Sequence, residues 1–237
     1  KLVVKLNFFT SLKIQLYLYY NCIFFMNLNL DKHNLHFLTS NPVKATAFTY
    51  WGFNVKEFHV DIPEVSSPLV EEVALHKARD TGLNNIIVED TALYIKDCEY
   101  NGTDIKHVYH ELLTNTKYDN HPTKWTVCLC LKTEDHFLIA QSSLHGYMKY
   151  PAIEQGYHFE KFFAIHYDNK LTHFGEIDEK TRFILSPRYK ALEILNHAIE
   201  TNDFSELLII PNKNVKDWKG EYQIEKPANV KKNKLNI

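Results

Sequence analysis

A chain of 237 residues, 45% hydrophobic and 24% charged, can bury one large core or at most two small ones, and its composition is that of a soluble globular protein. A formal net charge of -2 excludes the broad basic footprint of general nucleic-acid binding, so any anion site must be local. The four cysteines, Cys22, Cys98, Cys128 and Cys130, form no C-x-x-C pair; Cys128 and Cys130 lie in the apolar run WTVCLCL and read as buried thiols, and the set fits a reducing, cytoplasmic setting.

The N-terminal stretch holds the apolar run IQLYLYYNCIFF, at 12 residues short for a bilayer span and followed by no small-residue cleavage site. Residues 1–25 read as a leader ahead of a working protein that begins near Met26, with a membrane anchor as the rival reading. The leader region is taken to reach residue 33, and no stable membrane association is expected. From there strands and helices alternate without internal repeats. Residues 34–40 (NLHFLTS) predict a buried strand. Pro42 stands at the favoured first helical position, and the helix through VKATAFTYW stops at Gly52. Residues 55–63 alternate like a strand and end at a proline. A helix from about Pro68 to Arg79 closes near Gly82, and residues 84–95 predict a strand leading into a turn. The middle is richer in strands, at 124–132, 136–148 and 162–168. Residues 186–200 are the clearest helix, with Ala191, Leu192, Leu195, Ala198 and Ile199 on one stripe. Past Ile210, seven lysines against three acids read as a loose polar tail, residues 211–237.

Three groups of residues carry chemistry. Thr39-Ser40-Asn41-Pro42-Val43-Lys44 joins a strand to a helix start, where free backbone N–H groups, small polar side chains and a lysine in the first turn together make a phosphate seat. It lacks the G-x-x-x-x-G-K-[ST] pattern, so it is not a Walker loop. Lys77 falls seven residues after Val70, on the face that Val70, Val73 and Ala74 make apolar. A lysine turned toward a core is costly unless an anion pairs with it, and the functional reading is a second phosphate ligand, with snorkelling at the helix edge as the alternative. Glu64 ends the Asp-Ile-Pro-Glu turn, and Asp90 reads as the last residue of the Ile-Ile-Val-Glu-Asp strand, where α/β sheets bind ligands. Such carboxylates are the hard oxygen donors that Mg²⁺ accepts.

In order, T-S-N-P-x-K, D-I-P-E, E-E-V-A-x-x-K-A, V-E-D-T-A-L and S-P-R-Y-K-A-L resemble the inosine triphosphate pyrophosphatases, from about Leu35 to Ile199. These house-cleaning enzymes hydrolyse non-standard purine nucleoside triphosphates (ITP, dITP, XTP) to the monophosphate and pyrophosphate. The resemblance implies an α/β fold: a long twisted mixed β-sheet flanked by helices, with a nucleotide cleft between two lobes, in a domain over residues 34–210. It implies Mg²⁺, a nucleoside triphosphate substrate and a homodimer. Thr39, Ser40, Asn41 and Lys44 match the triphosphate loop, Lys77 and Lys106 match phosphate-contacting lysines, Glu64 matches the metal-binding glutamate, and Asp90 matches the catalytic aspartate. Glu89 is the further metal candidate beside Asp90.

The base-reading half departs from the family pattern. G-F-G-W-D-P-x-F stands here as Gly156-Tyr157-His158-Phe159-Glu160-Lys161-Phe162-Phe163, so Tyr157, His158, Phe159 and Glu160 are its substrate candidates. Arg182 replaces a lysine, and S-H-R has become Ser186-Pro187-Arg188, which keeps Arg188 and loses a histidine. Ala47 replaces an acid. The same chemistry with a different base preference is therefore one alternative, and a nucleotide-binding module without turnover is another.

Overall fold

The computed structural model describes residues 28, 30–39, 41–57, 62, 64–99 and 102–223. Most of the expected leader, Ser40, the second half of the strand expected over 55–63, and residues 224–237 lie outside the described residues. The elements run β1 (His36–Thr39), α1 (Pro42–Tyr50), β2 (Asn54–Glu57), α2 (Val70–Asp80), β3 (Ile86–Ile95), β4 (Pro122–Lys132), β5 (His136–Met148), β6 (Phe163–Tyr167), β7 (Lys170–His173), α3 (Glu179–Leu185), α4 (Pro187–Thr201) and β8 (Leu208–Pro211). They build one mixed, twisted eight-stranded sheet in the order β2-β1-β3-β4-β5-β6-β7, with β8 paired to β5. β1 runs parallel to β2 and β3, and the other pairings are antiparallel. Among the described residues no helix is long and apolar enough to cross a membrane.

The pleat of the strands sorts apolar side chains to two faces, and helices cover both. On one face Leu38, Val88, Ala92, Cys128, Cys130 and Ile139 pack with Val70, Ala74 and Ala78 of α2. On the other, Phe37, Ile87, Leu129 and Leu138 pack with Ala47 and Phe48 of α1 and with the expected stripe of α4, all five residues of which are buried. Burying one such large apolar side chain is worth about 1.5–3 kcal/mol, so packing rather than helix propensity holds α4 in place. Its start is capped: Ser186 Oγ accepts from Tyr189 N at 3.1 Å, and Pro187 occupies the first turn.

Two expectations are corrected. Asp90 does not end its strand. β3 continues to Ile95 because β4 pairs with it along its whole length, Ile86 with Lys132 through Ile95 with Thr123. The strand that ends there is the neighbouring β1, which stops at Thr39 and is in register with β3 at His36–Ile86 and Phe37–Ile87. Asp90 thus sits just past the carboxyl end of β1. The loose tail is also not loose as far as Gln223. Leu208–Pro211 forms β8, Arg79 bonds Lys216 O and Asp217, and Tyr222 bridges to Val65.

Candidate active site

Adjacent residues of a strand point to opposite faces, and Glu89 and Asp90 follow that rule. Glu89 faces α1 and α4. Its carboxylate, with no exposed area, accepts from Arg188 Nε at 2.8 Å and Nη2 at 3.1 Å, pairs with Lys44 Nζ at 3.2 Å, and accepts from Thr91 Oγ1 at 3.2 Å. Burial would raise its pKa, but Arg188 and Lys44 outweigh burial and hold it at about 2. Both oxygens are thus committed to cations. Glu89, expected as a further metal candidate, lies on the sheet face opposite Asp90 and anchors Arg188 and Lys44.

Asp90 faces the α2 side. Its Oδ1 accepts from Thr91 N at 2.6 Å, and its Oδ2 is buried with no hydrogen-bond partner among the described residues. Burial pushes its pKa up and Glu64 adds to the rise, against the pull of Lys77, Lys44 and Lys106. Glu64 is gripped by two lysines, Lys77 Nζ at 2.7 Å from Oε1 and Lys106 Nζ on Oε2. Burial would raise its pKa too, but these lysines bring it to about 2. The lysine that the apolar face of α2 made conspicuous has therefore found its anion. Burial would lower the pKa of Lys77; Asp90 and Glu64 raise it instead.

Lys106 arrives on a 3-10 turn, Thr103–Val108, tied to the Glu64 loop by Thr103 Oγ1 donating to Ser67 O at 2.6 Å. Gly102 makes this approach possible: it has φ +83°, and a Cβ there would stand 2.9 Å from Pro68 O. At the other loop, Thr39 Oγ1 accepts from Asn41 N at 3.0 Å, and Asn41 Oδ1 accepts from Lys44 N at 3.4 Å, which caps α1.

A cavity of about 410 Å³ opens beside α1, α3 and the start of α4. Four expected residues line it, Tyr157, Glu160, Arg182 and Arg188, together with Ala47 and Phe183. Tyr157 is 44% exposed, and its hydroxyl accepts from Asn41 Nδ2 at 3.2 Å, which links the cavity to the loop that starts α1. Glu160 Oε2 accepts from Tyr157 N at 2.7 Å and lies 3.7 Å from Arg182 Nε, while Arg182 Nη1 donates to Gly175 O at 3.0 Å. Gly156 is needed at this bend, since it has φ +90° and a Cβ there would meet Glu160 Cβ at 2.8 Å.

Two substrate candidates stand elsewhere. Phe159 is a core residue, edge-on to Trp125 and packed on Phe162, because it is the apolar member of a short 3-10 turn and points inward. His158, at φ +47°, sits between Tyr157 and Tyr109, with ring centroids 4.3 and 5.1 Å away, outside the cavity lining. Burial lowers its pKa, with Lys44, Lys161 and His110 contributing. Phe183 and Tyr109 escaped the sequence reading because their segments carry no periodic signal. A wider groove of about 660 Å³, at Tyr94, Lys124, His145 and His166, is lined by no carboxylate and lies apart from this chemistry.

Among the described residues no three His, Cys, Asp or Glu side chains gather as a metal cluster. Mg²⁺ does not need one, because one or two carboxylates suffice when water and phosphate oxygens complete the shell. The partnerless Asp90 Oδ2, with Glu64 close enough to raise the Asp90 pKa, fits that donor set.

No curated protein matches the chain. Among solved structures, the Ham1 protein of Staphylococcus aureus superposes with a TM-score of 0.55 at 15% sequence identity, covering 71% of this chain and 100% of the other. At that identity the likeness is one of fold. The profile of the Ham1 family matches residues 35–198, more than half of the sequence, and that span holds β1 through most of α4 with Glu64, Glu89, Asp90, Lys44, Lys77, Lys106, Arg182 and Arg188. The chain belongs to the Ham1 family.

Proposed function

We propose that this protein hydrolyses purine nucleoside triphosphates, inosine and xanthosine triphosphates among them, to the monophosphate and pyrophosphate. The Ham1 family consists in general of pyrophosphatases of non-standard nucleoside triphosphates, and its members generally use a divalent metal. The observation that carries the reading is the arrangement around β3. Lys44 and Arg188 gather on one face and Lys77 and Lys106 on the other, about three carboxylates of which Asp90 alone keeps a buried oxygen without a partner among the described residues.

In this reading Lys44, Lys77 and Lys106 hold the triphosphate, and Glu89 holds Lys44 and Arg188 in place without touching it. Asp90 takes a proton from the attacking water. Its raised pKa makes it a stronger base than an ordinary carboxylate. The water oxygen forms the new bond to the α-phosphorus, the α–β bridging bond breaks, and pyrophosphate leaves with that electron pair. Glu64 and Asp90 are the residues that would hold Mg²⁺, which would supply charge neutralisation of the phosphates. Fixed positive charge aimed at the reacting phosphate is the main source of rate. Activity is expected to vanish in a chelator and to return with excess Mg²⁺; full activity in the chelator contradicts the metal assignment.

The 410 Å³ cavity is the proposed base pocket, with Tyr157 as the exposed ring against which a purine stacks. Position 187 offers neither a side-chain donor nor a backbone N–H to the 6-oxygen, and Arg182 is already engaged with Gly175 O and Glu160. One missing donor lowers discrimination by about 1–3 kcal/mol, roughly one to two powers of ten. Comparing kcat/KM for inosine and xanthosine triphosphates with ATP and GTP tests this. Only a modest preference for inosine and xanthosine triphosphates is expected, and a preference on the order of a thousandfold over ATP, whose purine carries a 6-amino group in place of the 6-oxygen, contradicts the pocket assignment.

A further inference from the structure

The segment 215–223 lies beyond the span that the family profile matches and reaches all three members of the Glu64 cluster through their chain neighbours. It starts on α2, where Arg79 donates to Lys216 O at 3.1 Å and pairs with Asp217, and where the Trp218 ring lies 5.1 Å from that of His76. His76 and Arg79 flank Lys77 on that helix. Trp218 Nε1 donates to Glu221 O at 2.8 Å, and Glu221 O also accepts from Ser66 N at 2.8 Å. Tyr222 then bridges antiparallel to the fully buried Val65.

Gln223 closes the path. Its backbone N donates to Glu64 O at 2.7 Å, its Nε2 donates to Val65 O at 3.2 Å, and its Oε1 accepts from His107 Nε2 at 3.3 Å. His107 follows Lys106, so one side-chain amide joins the loop that carries Glu64 to the turn that carries Lys106. The same turn and loop are also tied by Thr103 Oγ1 donating to Ser67 O, three residues from each charged group, so the amide is the link that lies nearest Glu64 and Lys106.

We propose that segment 215–223 is a clasp on the catalytic carboxylate loop and that Gln223 is a positioning residue, fixing Glu64 relative to Lys106 and Lys77. This rests on the proposed role of Glu64. Groups that orient a ligand carboxylate without touching the metal commonly control about 10–100-fold in metal affinity or activity. Gln223 touches no group that contacts the substrate, so its loss is felt through the placement of Glu64.

Mn²⁺ binding to the full chain, followed by electron paramagnetic resonance, tests the clasp without turnover. Gln223→Ala is expected to weaken Mn²⁺ binding by about 10–100-fold while the melting transition stays cooperative. Gln223→Glu keeps the acceptor for His107 but loses the donor to Val65 O; it is expected to fall between wild type and Gln223→Ala, and it serves if the alanine variant does not fold. Wild-type affinity in a folded variant, or a wild type that binds no Mn²⁺, overturns the proposal. Pyrophosphate release is measured in parallel. A wild type that binds Mn²⁺ but releases no pyrophosphate removes the proposed function and leaves the clasp to be judged on the affinities alone.

Discussion

Asp90→Asn is expected to lower pyrophosphate release by about 10²–10⁴-fold, the usual contribution of a general base, and to leave the fold intact. Asparagine keeps the size of the side chain and the oxygen that accepts from Thr91 N, so packing against α2 is preserved. What disappears is the proton acceptor at Oδ2. The stability change separates this role from a structural one. Burial raises the Asp90 pKa above its unfolded value of 3.8, so its favourable share of stability is present below that value and is lost as pH rises through the folded pKa. At neutral pH the buried charge is therefore a cost to folding, and the variant should melt at the same temperature as wild type or higher. A near-wild-type rate in the purified variant contradicts the assignment.

Glu89→Gln is expected to cost about 3–5 kcal/mol of folding stability, the usual cost of breaking a buried ion pair from one side. It leaves Arg188, its side chain 15% exposed, and Lys44, its side chain 21% exposed, without their carboxylate. An independent estimate comes from the Glu89 pKa. A depression from 4.5 to about 2 is worth about 3 kcal/mol at neutral pH. That stability is present above the unfolded value of 4.5 and is lost as pH falls toward 2, so wild type should weaken through this window and the variant should weaken less. Against a typical total of about 5–15 kcal/mol, the loss is large enough to read from urea midpoints at several pH values. An unchanged midpoint at neutral pH shows that the three-way pair contributes nothing net.

Legibility from sequence followed the range of the interactions. β5 was expected over 136–148 and occupies His136–Met148, and α4 was expected over 186–200 and occupies Pro187–Thr201. In both, pattern, length and local caps agree. The first turn of α1 at Pro42 was legible for the same reason, since proline fixes φ and lacks the donor that position does not need. β7 and β8, four residues each, and α3, with no buried residue, were missed because they are too short to show a period. β3 was expected over 84–95 and occupies Ile86–Ile95, so only the placing of Asp90 at a strand end failed, because the strand that ends there is the neighbouring β1.

In the site, the sequence marked Glu64, Lys77 and Lys106 singly. It did not show that two lysines share one carboxylate, nor that Arg188 pairs with a glutamate 99 residues away. Glu89 and Asp90 stood side by side as metal candidates, and the pleat gave them opposite faces and different partners. Composition concealed the clasp altogether: a lysine-rich, polar segment reads as solvated, and its pairing with α2 and the Glu64 loop gives it structure.

The most direct measurement is hydrolysis of inosine triphosphate with Mg²⁺ in ¹⁸O-labelled water, with products identified by mass and by phosphorus resonance. Attack at the α-phosphorus yields inosine monophosphate carrying the label and unlabelled pyrophosphate, and Asp90→Asn should yield neither above background. Label in pyrophosphate, formation of inosine diphosphate and orthophosphate, or the absence of any product from the wild-type protein would contradict the proposed reaction.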